Sequence, residues 1–531
     1  MCRQGDTAVI ALADDLSGAA EAAALLRLPA RLVLHADDLG LSGEVGEAVV
    51  VDLDSRYLDD GAAADAVRTV LRAVGRQSPA ARADVTASRA FRAVNSPESY
   101  GSPLWFKKCD SLLRGPVGAE ATAFAEGAEL LVIATALPAA RRVVRGGVVL
   151  LDGVPLHASP AWRAEERAAP RSVAEALAPL PTADVPLEAV RQGPIALAGR
   201  FRELAARGRH PVCDAETDTD LTVIAGAAAL LGHGARLLGS GGLAAALGRR
   251  LAPRRAHGSP AGAGPTAARP PATAPFPTRP TADPADTGPV PSLPSTAAEP
   301  SAAEPATGPT TPSGALGPAS LPSAAGRAPA RPVMPSTAAG PAAAGAKAPA
   351  GAFVRVAGED GWPAGARGIA RPLLVVAGSA EPVVAEQVGR LVAAGARHLP
   401  LAPGELAGAE GVVLPELATG TVTVLSVDGS DGVRPGAARA VVAGLARAVS
   451  AVPGRPDLVL TGGETARRVL DSLGVTTLWP AGEIHHGAVH CRTADGRSVV
   501  TRPGSFGGPD SFVRIAAALR PRHPSQQGDT Q

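Results

Sequence analysis

Two adjacent carboxylates follow the first apolar run of the chain and open a segment with helical spacing. The run spans residues 8–13, and Asp14 and Asp15 come directly after it. One interpretation is helix capping, because an aspartate at a helix N-terminus accepts backbone N–H groups and complements the helix dipole. The other is chemical: a carboxylate could accept a proton from a substrate hydroxyl, or the pair could bind a metal ion. The spacing alone leaves both open.

A second group of polar side chains is denser and carries charges of both signs. Its members, which follow the apolar run 104–107, are Lys108, Asp110, Ser111 and Arg114. Lysine and arginine suit an anionic ligand, whereas aspartate and serine can hold hydroxyl groups. A solvated charged turn is the competing interpretation. Arg56, after the run 48–53, could also bind a carboxylate or phosphate with two parallel hydrogen bonds. An arginine at such a position is more often an ordinary surface residue.

Turns rich in glycine and other small residues follow several further apolar runs. They span residues 239–244, 377–380, 461–466 and 501–508. Backbone N–H groups in such turns can hold a phosphate, and close packing of a helix against a strand explains the same residues equally well. Neither the P-loop spacing nor the dinucleotide-binding spacing occurs. A nucleotide site in this chain would therefore not use one of the common fingerprints.

The elements that must position these motifs alternate short apolar runs with helical stretches rich in alanine and leucine. In the first half we predict strands at 8–13, 31–35, 48–53, 104–107, 130–134, 195–198 and 235–238, and helices at 14–28, 62–74, 118–126 and 218–231. In the second half we predict strands at 373–376, 421–426 and 458–460, and helices at 382–394, 437–452 and 464–473. This alternation predicts a parallel α/β sheet in each half, with ligands at the carboxyl ends of the strands.

Proline marks the division between the two halves. Residues 251–350 hold 23 of the 51 prolines and no periodic apolar pattern. Such a segment cannot bury enough apolar surface to offset the entropy of ordering it, although a docking tract for proline-binding modules is a weaker alternative. We therefore predict two α/β domains, at 1–250 and 353–520, with a disordered Pro/Ala-rich linker at 251–352 and a frayed tail at 521–531.

The composition excludes several classes of function. The 531 residues carry 51 basic and 50 acidic side chains and only 3% aromatics, which argues against a nucleic-acid-binding protein. No run approaches the about 18 apolar residues of a membrane span, and we expect no signal peptide. Four cysteines without metal spacing argue against a disulfide framework and fit a cytoplasmic location. His485, His486 and His490 also lack metal spacing, so we expect a solvated loop there.

Taken together and in order, the motifs resemble those of the four-carbon acid sugar kinase family. Residues 13–19 match the family's Ala-Asp-Asp-Leu-Thr-Gly-Ala except at Ser17, and residues 107–115 match its Lys-Lys-Ile-Asp-Ser-Thr-Leu-Arg-Gly stretch. Residues 462–466 match its Gly-Gly-Asp/Glu-Thr-Ala signature, and residues 502–507 match its closing glycine loop. Further matches are residues 55–56, 214–217, 239–244, 378–379 with Gln387, and 482–484.

The resemblance implies an ATP-dependent kinase that phosphorylates a hydroxyl of a four-carbon or similar sugar acid, such as threonate, erythronate or 3-oxo-tetronate. Its N-terminal domain would bind the acid and its C-terminal domain ATP with Mg²⁺, with the reaction in the cleft between them. The implied substrate-binding residues are Asp14, Arg56, Lys108, Asp110, Ser111 and Arg114. The implied catalytic residues are Asp14 and Asp15, one of which accepts the hydroxyl proton. The implied nucleotide-binding residues are Ser379, Gly462, Gly463, Glu464, Thr465 and Gly504, and no metal ligands are assigned.

Several positions depart from the family pattern. Leu112 stands where the family has threonine, and Pro116 where it has asparagine. Arg502 replaces the lysine before the last glycine loop, and Ser505 replaces one of its glycines. Two alternatives therefore stay open: a kinase of the same fold that acts on a different hydroxy acid, and a non-catalytic relative that binds ligand and has a regulatory or scaffolding role. A small-molecule acid is the expected partner, with no nucleic acid and no membrane, and a homo-oligomer is left open.

Overall fold

The computed structural model describes residues 8–39, 46–77, 103–162, 165, 167–252, 371–378, 382–408, 411–428, 438–504 and 506–520. Most of the predicted linker 251–352 and all of the predicted tail 521–531 lie outside these ranges, as does Ser379 of the predicted nucleotide site. The domain boundaries therefore remain predictions. We refer to residues 8–252 as the N-terminal half and to residues 371–520 as the C-terminal half.

The N-terminal half alternates strands with helices along its described residues. Its strands are β1 (Val9–Ala13), β2 (Ala30–Val33), β3 (Ala48–Asp52), β4 (Leu104–Lys108), β5 (Leu130–Ala134), β6 (Arg142–Arg145), β7 (Val148–Leu151), β8 (Val154–Pro155), β9 (Thr182–Val185), β10 (His210–Cys213) and β11 (Ala235–Gly239). Its α-helices are α1 (Leu16–Leu25), α2 (Asp60–Gln77), α3 (Val117–Ala125), α4 (Val173–Ala176), α5 (Leu187–Val190), α6 (Pro194–Ala205), α7 (Asp218–Ala229) and α8 (Gly241–Leu251). Strands β6, β7 and β8 form a small antiparallel sheet of their own.

Strand β1 lies where the order of the strands reverses. It pairs in parallel with β3, where Ala13 is opposite Asp52, and with β4, where Ala13 is opposite Lys108. The chain first fills the side of β2 and β3 and then crosses to the side of β4. In open α/β sheets a crevice that binds ligands forms at such a switch point, outside the carboxyl ends of the strands. The predicted sugar-acid residues follow β1, β3 and β4 and therefore meet here.

The C-terminal half repeats this arrangement with its own strands. They are β12 (Leu373–Ala377), β13 (Arg397–Leu401), β14 (Val422–Val427), β15 (Asp457–Thr461), β16 (Thr477–His485), β17 (Ala488–Arg492) and β18 (Ser498–Arg502). The α-helices are α9 (Pro382–Ala393), α10 (Pro403–Ala407), α11 (Ala438–Ser450), α12 (Gly463–Ser472) and α13 (Ser511–Leu519). Strand β12 pairs in parallel with β14 and with β15, so the switch point lies between β12 and β15. The glycine turns at 377–380 and 461–466 follow these two strands.

The two halves share one sheet. Strand β16 pairs antiparallel with β2, with Thr477 opposite Val33 and Leu478 opposite Leu32. Within the described residues, fifteen strands follow the order β13-β14-β12-β15-β18-β17-β16-β2-β3-β1-β4-β11-β5-β10-β9. The prediction of an α/β protein dominated by parallel strands is confirmed. The sequence did not predict that backbone hydrogen bonds would join the halves.

Helix α1 packs against both halves. Most of its residues are small, and Ala19, Ala20, Ala22 and Ala23 are all buried. The helix contacts β2 and β3 of the N-terminal half, and β16, β17, β18 and α12 of the C-terminal half. Small side chains allow this close approach on more than one face of the helix. Asp14 and Asp15, which precede α1, are therefore held at the junction of the two halves.

One predicted element has the wrong type. The stretch 195–198 was predicted as a strand, but it lies within helix α6. Gly193 has a φ of 95°, and Pro194 occupies the first turn, which is a favoured place for proline in a helix. The buried side chains Leu197, Phe201 and Leu204 recur with helical spacing, and the short apolar run at the start of the helix conceals this period.

Candidate active site

Arg56 joins the two aspartates that follow β1. Its Nε donates to Asp14 Oδ2 and its Nη1 donates to Asp15 Oδ2, both at 2.8 Å. Asp15 Oδ1 accepts the N–H of Gly18 at 2.8 Å, so Asp15 is the N-cap of α1. Asp14 Oδ1 is buried and has no hydrogen-bond partner among the described residues. Capping therefore accounts for one oxygen of Asp15, whereas no structural contact in the described residues accounts for Oδ1 of Asp14.

The environment separates the pKa values of these two carboxyl groups. Burial raises the pKa of Asp14, but the charges of Arg56, Lys107 and Lys108 outweigh burial, so the net shift is downward. At Asp15, burial and the charge of Asp14 together outweigh Arg56, so the pKa of Asp15 is raised. Asp14 is therefore the ionised member of the pair, and Asp15 takes up a proton more readily.

Lys107 at the end of β4 serves the fold. Its side chain is fully buried, and its Nζ lies 3.1 Å from Glu120 Oε2 on α3. The hydroxyl of Ser55 donates to the other oxygen of the same carboxylate. This buried network ties β4, α3 and the end of β3 together, so Lys107 has no charge to offer a ligand.

Lys108 faces the opposite side of the strand and reaches α1. Its Nζ lies 3.3 Å from Glu21 Oε2 and donates to the carbonyl oxygen of Cys109 at 3.1 Å. Burial lowers the pKa of Lys108, but the carboxylates of Glu21, Asp14 and Asp15 outweigh burial and raise it above its ordinary value. Lys108 is therefore a permanent cation beside the aspartate pair. The sequence analysis did not identify Glu21, because nothing in the spacing along α1 marks it.

The loop after β4 folds back onto Arg56. Arg114 Nε and Nη2 donate to the two carboxylate oxygens of Asp110 at 2.6 and 3.0 Å. Burial raises the pKa of Asp110, but Arg114 and Arg56 outweigh burial and hold it well below its usual range. Gly115 has a φ of 82°, and a Cβ there would lie 3.0 Å from the Arg56 carbonyl oxygen. This glycine lets the loop approach the backbone of Arg56 closely.

Ser111 and Leu112 in this loop have different environments. Ser111 Oγ accepts a hydrogen bond from Arg142 Nη1 at 2.5 Å. Leu112 is buried in the hydrophobic core, and its carbonyl oxygen accepts the Trp162 Nε1–H at 2.8 Å. The leucine that replaces the family's threonine therefore turns its side chain away from the polar cluster. Arg142, at the start of β6, is a residue of this cluster that sequence reasoning did not assign to the site.

The turn between β15 and α12 brings the C-terminal half against the aspartate pair. Gly462 has a φ of 85° and occupies the N-cap position, so no side chain caps α12. A Cβ at Gly463 would collide with Asp15 Oδ2. The carboxylate of Asp15 therefore lies directly against the first turn of α12. The uncapped backbone N–H groups of such a turn form a binding site for anions.

The other predicted nucleotide residues that the structure describes lie close to this turn. A Cβ at Gly378, after β12, would collide with Thr465 Oγ1, so the turn after β12 contacts the first turn of α12. A Cβ at Gly504 would lie 4.0 Å from the Cα of Gly462. Glu464 follows in the first turn of α12. The turns after β12, β15 and β18 thus converge at the second switch point.

Arg502 positions the last glycine loop and does not face an anion. Its side chain is fully buried, and its Nη2 donates to Gln387 Oε1 at 2.5 Å. Its Nη1 donates to the carbonyl oxygen of Phe506, and its guanidinium carbon lies 4.4 Å from the centre of the Phe512 ring. Gln387 Nε2 in turn donates to the carbonyl oxygen of Gly507 at 3.1 Å. The arginine that replaces the family's lysine therefore braces the backbone of residues 506–508.

The three histidines do not form the solvated loop that we predicted. His485 ends β16, and its Nε2 lies 2.9 Å from Ser511 Oγ. His490 lies in β17, where burial lowers its pKa to about 4. Only His486 lies in the turn between these strands. The burial of the hairpin alternates along β16, but its sequence does not alternate apolar with polar residues, so no strand pattern marked it in the sequence.

The described residues contain neither a cluster of metal ligands nor a helix that could span a membrane. In these ranges, no three His, Cys, Asp or Glu side chains lie together in a way that could hold a metal ion. None of the helices within them combines the length and the apolar character that crossing a bilayer requires.

Each half of the chain matches the model of a known domain family. Residues 9–247 match the model of a sugar-binding N-terminal domain, and residues 374–512 match that of a nucleotide-binding C-terminal domain. A D-threonate kinase of Cupriavidus necator is 35% identical over 242 residues, which are 44% of this chain and 52% of the relative. A D-threonate kinase of Salmonella typhimurium is 37% identical over 188 residues, 33% of this chain and 43% of the relative. The chain thus spans about half the length of the curated relatives it matches.

The fold also occurs among solved structures. A Haemophilus influenzae protein superimposes with a TM-score of 0.57 at 17% identity, over 96% of this chain and 99% of that protein. A likeness at this level of identity shows the fold alone. The two domain models together span both switch points and the motifs that follow them. The chain therefore belongs to the four-carbon acid sugar kinase family, whose members combine a sugar-binding N-terminal domain with a nucleotide-binding C-terminal domain.

Proposed function

We propose that this protein is an ATP-dependent kinase that phosphorylates a hydroxyl of a four-carbon or similar sugar acid. The observation that carries the proposal is the contact between Asp15 and Gly463. It joins the aspartate pair of the sugar-binding half to an uncapped helix N-terminus of the nucleotide-binding half. The relatives named D-threonate kinase support threonate or a close analogue as the substrate.

Asp15 is the residue that we assign as the proton acceptor. Its pKa is raised, and its Oδ2 lies against the turn that would hold the phosphates of ATP. A general base in phosphoryl transfer must reach both the substrate hydroxyl and the line of transfer. Asp14, whose pKa is lowered and whose Oδ1 has no partner in the described chain, would accept a hydrogen bond from a second hydroxyl. Arg56 would keep the two carboxylates in place.

The nucleotide would bind through backbone groups. The N–H groups of residues 463–465 would hold phosphate oxygens at the start of α12, with Gly504 beside them. Arg502 and Gln387 would keep the 506–508 backbone in position. Mg²⁺ bound to the phosphates would neutralise part of their charge. It would take most of its ligands from phosphate oxygens and water, since the described residues hold no cluster of three His, Cys, Asp or Glu side chains for a metal ion.

An ADP-release assay tests this function directly. The substrates would be Mg-ATP with D- and L-threonate, D- and L-erythronate, their 3-oxo relatives and longer aldonates. We expect acid-dependent turnover that Asp15→Asn lowers by about 10²- to 10⁴-fold. Asp65→Asn, an exposed aspartate on α2, is the matched control and should keep full activity. Because the base must be ionised, kcat should fall as the pH falls through the raised pKa of Asp15.

Each contrary result would contradict a different part of the proposed function. Turnover of Asp15→Asn within about tenfold of the wild type would contradict the assignment of the base. ATP binding without turnover on any tested acid would favour a kinase for another hydroxy acid. Absence of ATP binding would favour a non-catalytic relative.

A further inference from the structure

The predicted cations of the sugar-binding half already have carboxylate partners. The pairs are Arg56 with Asp14, Lys108 with Glu21 and Arg114 with Asp110, at 2.7, 3.3 and 2.6 Å. A sugar acid brings a further negative charge into this partly buried cluster. A charge that leaves water requires a compensating partner. The residues predicted from the motifs do not offer one that is uncommitted.

Arg142 lies at the same edge of the sheet and has no such commitment. Its backbone exchanges two hydrogen bonds with Leu137, at 2.7 and 3.1 Å, which fix it beyond the end of β5. Its Nη1 donates to Ser111 Oγ at 2.5 Å. Among the residues that the structure describes, no carboxylate oxygen lies within 4.0 Å of its guanidinium nitrogens. The guanidinium has five N–H groups, and this serine accepts only one of them.

The hydrogen bond to Ser111 brings the guanidinium of Arg142 to the charged cluster, and charges of that cluster act on it. The net pKa of Arg142 is lowered, chiefly because the side chain is buried. The negative charges of Asp110 and Glu21 raise this pKa, and the positive charge of Arg114 lowers it further. The charges of Asp110 and Glu21 therefore act on Arg142, but these two carboxylates form their ion pairs with Arg114 and Lys108 respectively. Arg142 is a half-buried positive charge that its surroundings do not neutralise directly.

We propose that Arg142 binds the carboxylate of the sugar acid and is the residue that distinguishes an acid from a neutral sugar. This inference rests on the proposed function, because it assumes that the ligand of this cluster is an acid. A planar guanidinium with free N–H groups can grip a carboxylate with two parallel hydrogen bonds. Ser111 then orients the guanidinium, while the aspartate pair receives the hydroxyl groups at the other end of the ligand.

A purely structural role for Arg142 is the competing explanation. In that case the arginine would serve only to hold Ser111 and the loop after β4. A hydrogen bond to a serine hydroxyl does not need a charged donor, and leaving a half-buried charge unpaired is unfavourable. A structural role also predicts the same loss of affinity for a charged ligand and for its neutral analogue. A role in binding the carboxylate predicts a larger loss for the charged ligand, so the ratio of the two affinities distinguishes the explanations.

The test is calorimetric binding of D-threonate and D-erythronate, each compared with its primary amide, to the full chain. We expect the wild type to bind at least one acid about 10- to 100-fold more tightly than its amide, as a charge-assisted hydrogen bond would give. Arg142→Gln should reduce this ratio to about threefold or less, and Arg142→Lys should restore part of it. Arg145→Gln is the matched control, since Arg145 lies on the same strand but pairs with Glu216 at the surface.

The outcomes separate this inference from the proposed function. An unchanged ratio of acid to amide affinity in Arg142→Gln would overturn the inference, even if the wild type is an active kinase. Failure of the wild type to bind any of the four ligands would also overturn it. Binding of an acid that depends on Arg142, without ADP release, would support the inference and contradict the proposed kinase activity.

Discussion

The two halves of the molecule bury an arginine in opposite electrostatic environments. In the N-terminal half, Arg56 lies between Asp14 and Asp15, and their charges outweigh burial and raise its pKa. In the C-terminal half, Arg502 contacts neutral oxygens and the ring of Phe512, and burial lowers its pKa to about 10. Arg56 therefore belongs to a network of charged side chains, whereas Arg502 holds a backbone segment in position through hydrogen bonds.

This difference matches the ligands that we propose for the two halves. A sugar acid has several hydroxyl groups and one carboxylate, and side chains of both charges can distinguish among them. A triphosphate bound as its Mg²⁺ complex presents repeated oxygens, which backbone N–H groups at a helix N-terminus can hold without a dedicated side chain. In this proposal the N-terminal half would select its ligand through side chains, and the C-terminal half would select its ligand through glycine turns.

Helix α12 connects these two kinds of site. Its first turn lies against Asp15, and Arg467 in its second turn donates to Asp52 Oδ2 at 2.9 Å. Arg467 also contacts His35 of the N-terminal half, with 3.1 Å between Nη2 and Nδ1. Asp52 ends β3, four residues before Arg56 in the sequence. Helix α12 is thus paired with the strand that precedes Arg56.

The largest contrast should come from removing each buried arginine. Arg56→Met leaves two buried carboxylates without their shared counter-charge, so we expect a loss of about 3–5 kcal/mol in the free energy of unfolding. Arg502→Met leaves only neutral acceptors without a donor, so we expect a loss of about 1–3 kcal/mol. Urea unfolding of the two variants measures both. An equal or reversed order would contradict the electrostatic comparison of the halves.

A smaller effect should come from the glycine turn that touches the aspartate pair. Gly463→Ala places a Cβ where Asp15 Oδ2 lies, so the carboxylate or the turn must move. A shift of about 1 Å at reacting groups can lower kcat by about 10²-fold. Gly389→Ala on helix α9 is the matched control, because a Cβ there meets nothing within 4 Å. Unchanged kcat in Gly463→Ala would show that the two halves need not stay in contact for catalysis.

A third effect concerns the contact between the halves and its dependence on pH. Burial outweighs Arg467 and raises the pKa of Asp52 from 3.8 to about 7. Between these values the folded protein keeps a proton that the unfolded chain has lost, so this group's contribution to stability falls as the pH rises. The slope is at most about 1.4 kcal/mol per pH unit.

Asp52→Asn removes this titration from the chain. We expect the stability of the wild type relative to the variant to decline between about pH 5 and about pH 8, as urea unfolding at both values would measure. A relative stability that rises over this interval would mean that Arg467 keeps Asp52 ionised throughout.

The sequence predicted the fold through local patterns that the structure retains. Apolar runs such as 8–13 and 130–134 became the parallel strands β1 and β5, because a strand buried on both faces reads as a continuous apolar segment. The predictions failed where a pattern was short or mixed. The start of α6 looked like a strand, and the strands around His485 and His490 looked like loops.

The candidate site likewise contains residues that the sequence motifs predicted and residues that only the structure revealed. The family motifs brought Arg56 and Asp110 into the predicted site, because each follows a strand that ends at the first switch point. Glu21 and Arg142 were not predicted, since each joins the cluster through a partner distant in sequence, Lys108 and Ser111 respectively. The roles of the predicted residues in binding and catalysis remain predictions that the experiments above test.

The sequence by itself determined the family, the alternation of strands and helices, and the residue types at the strand ends, because these follow from local periodicity and from motifs in a fixed order. Only the tertiary structure decided how the halves meet. The pairing of β2 with β16 and the contact of Gly463 with Asp15 join segments more than 400 residues apart. Such contacts depend on packing and backbone hydrogen bonding over the whole chain, and no local pattern in either segment specifies its partner.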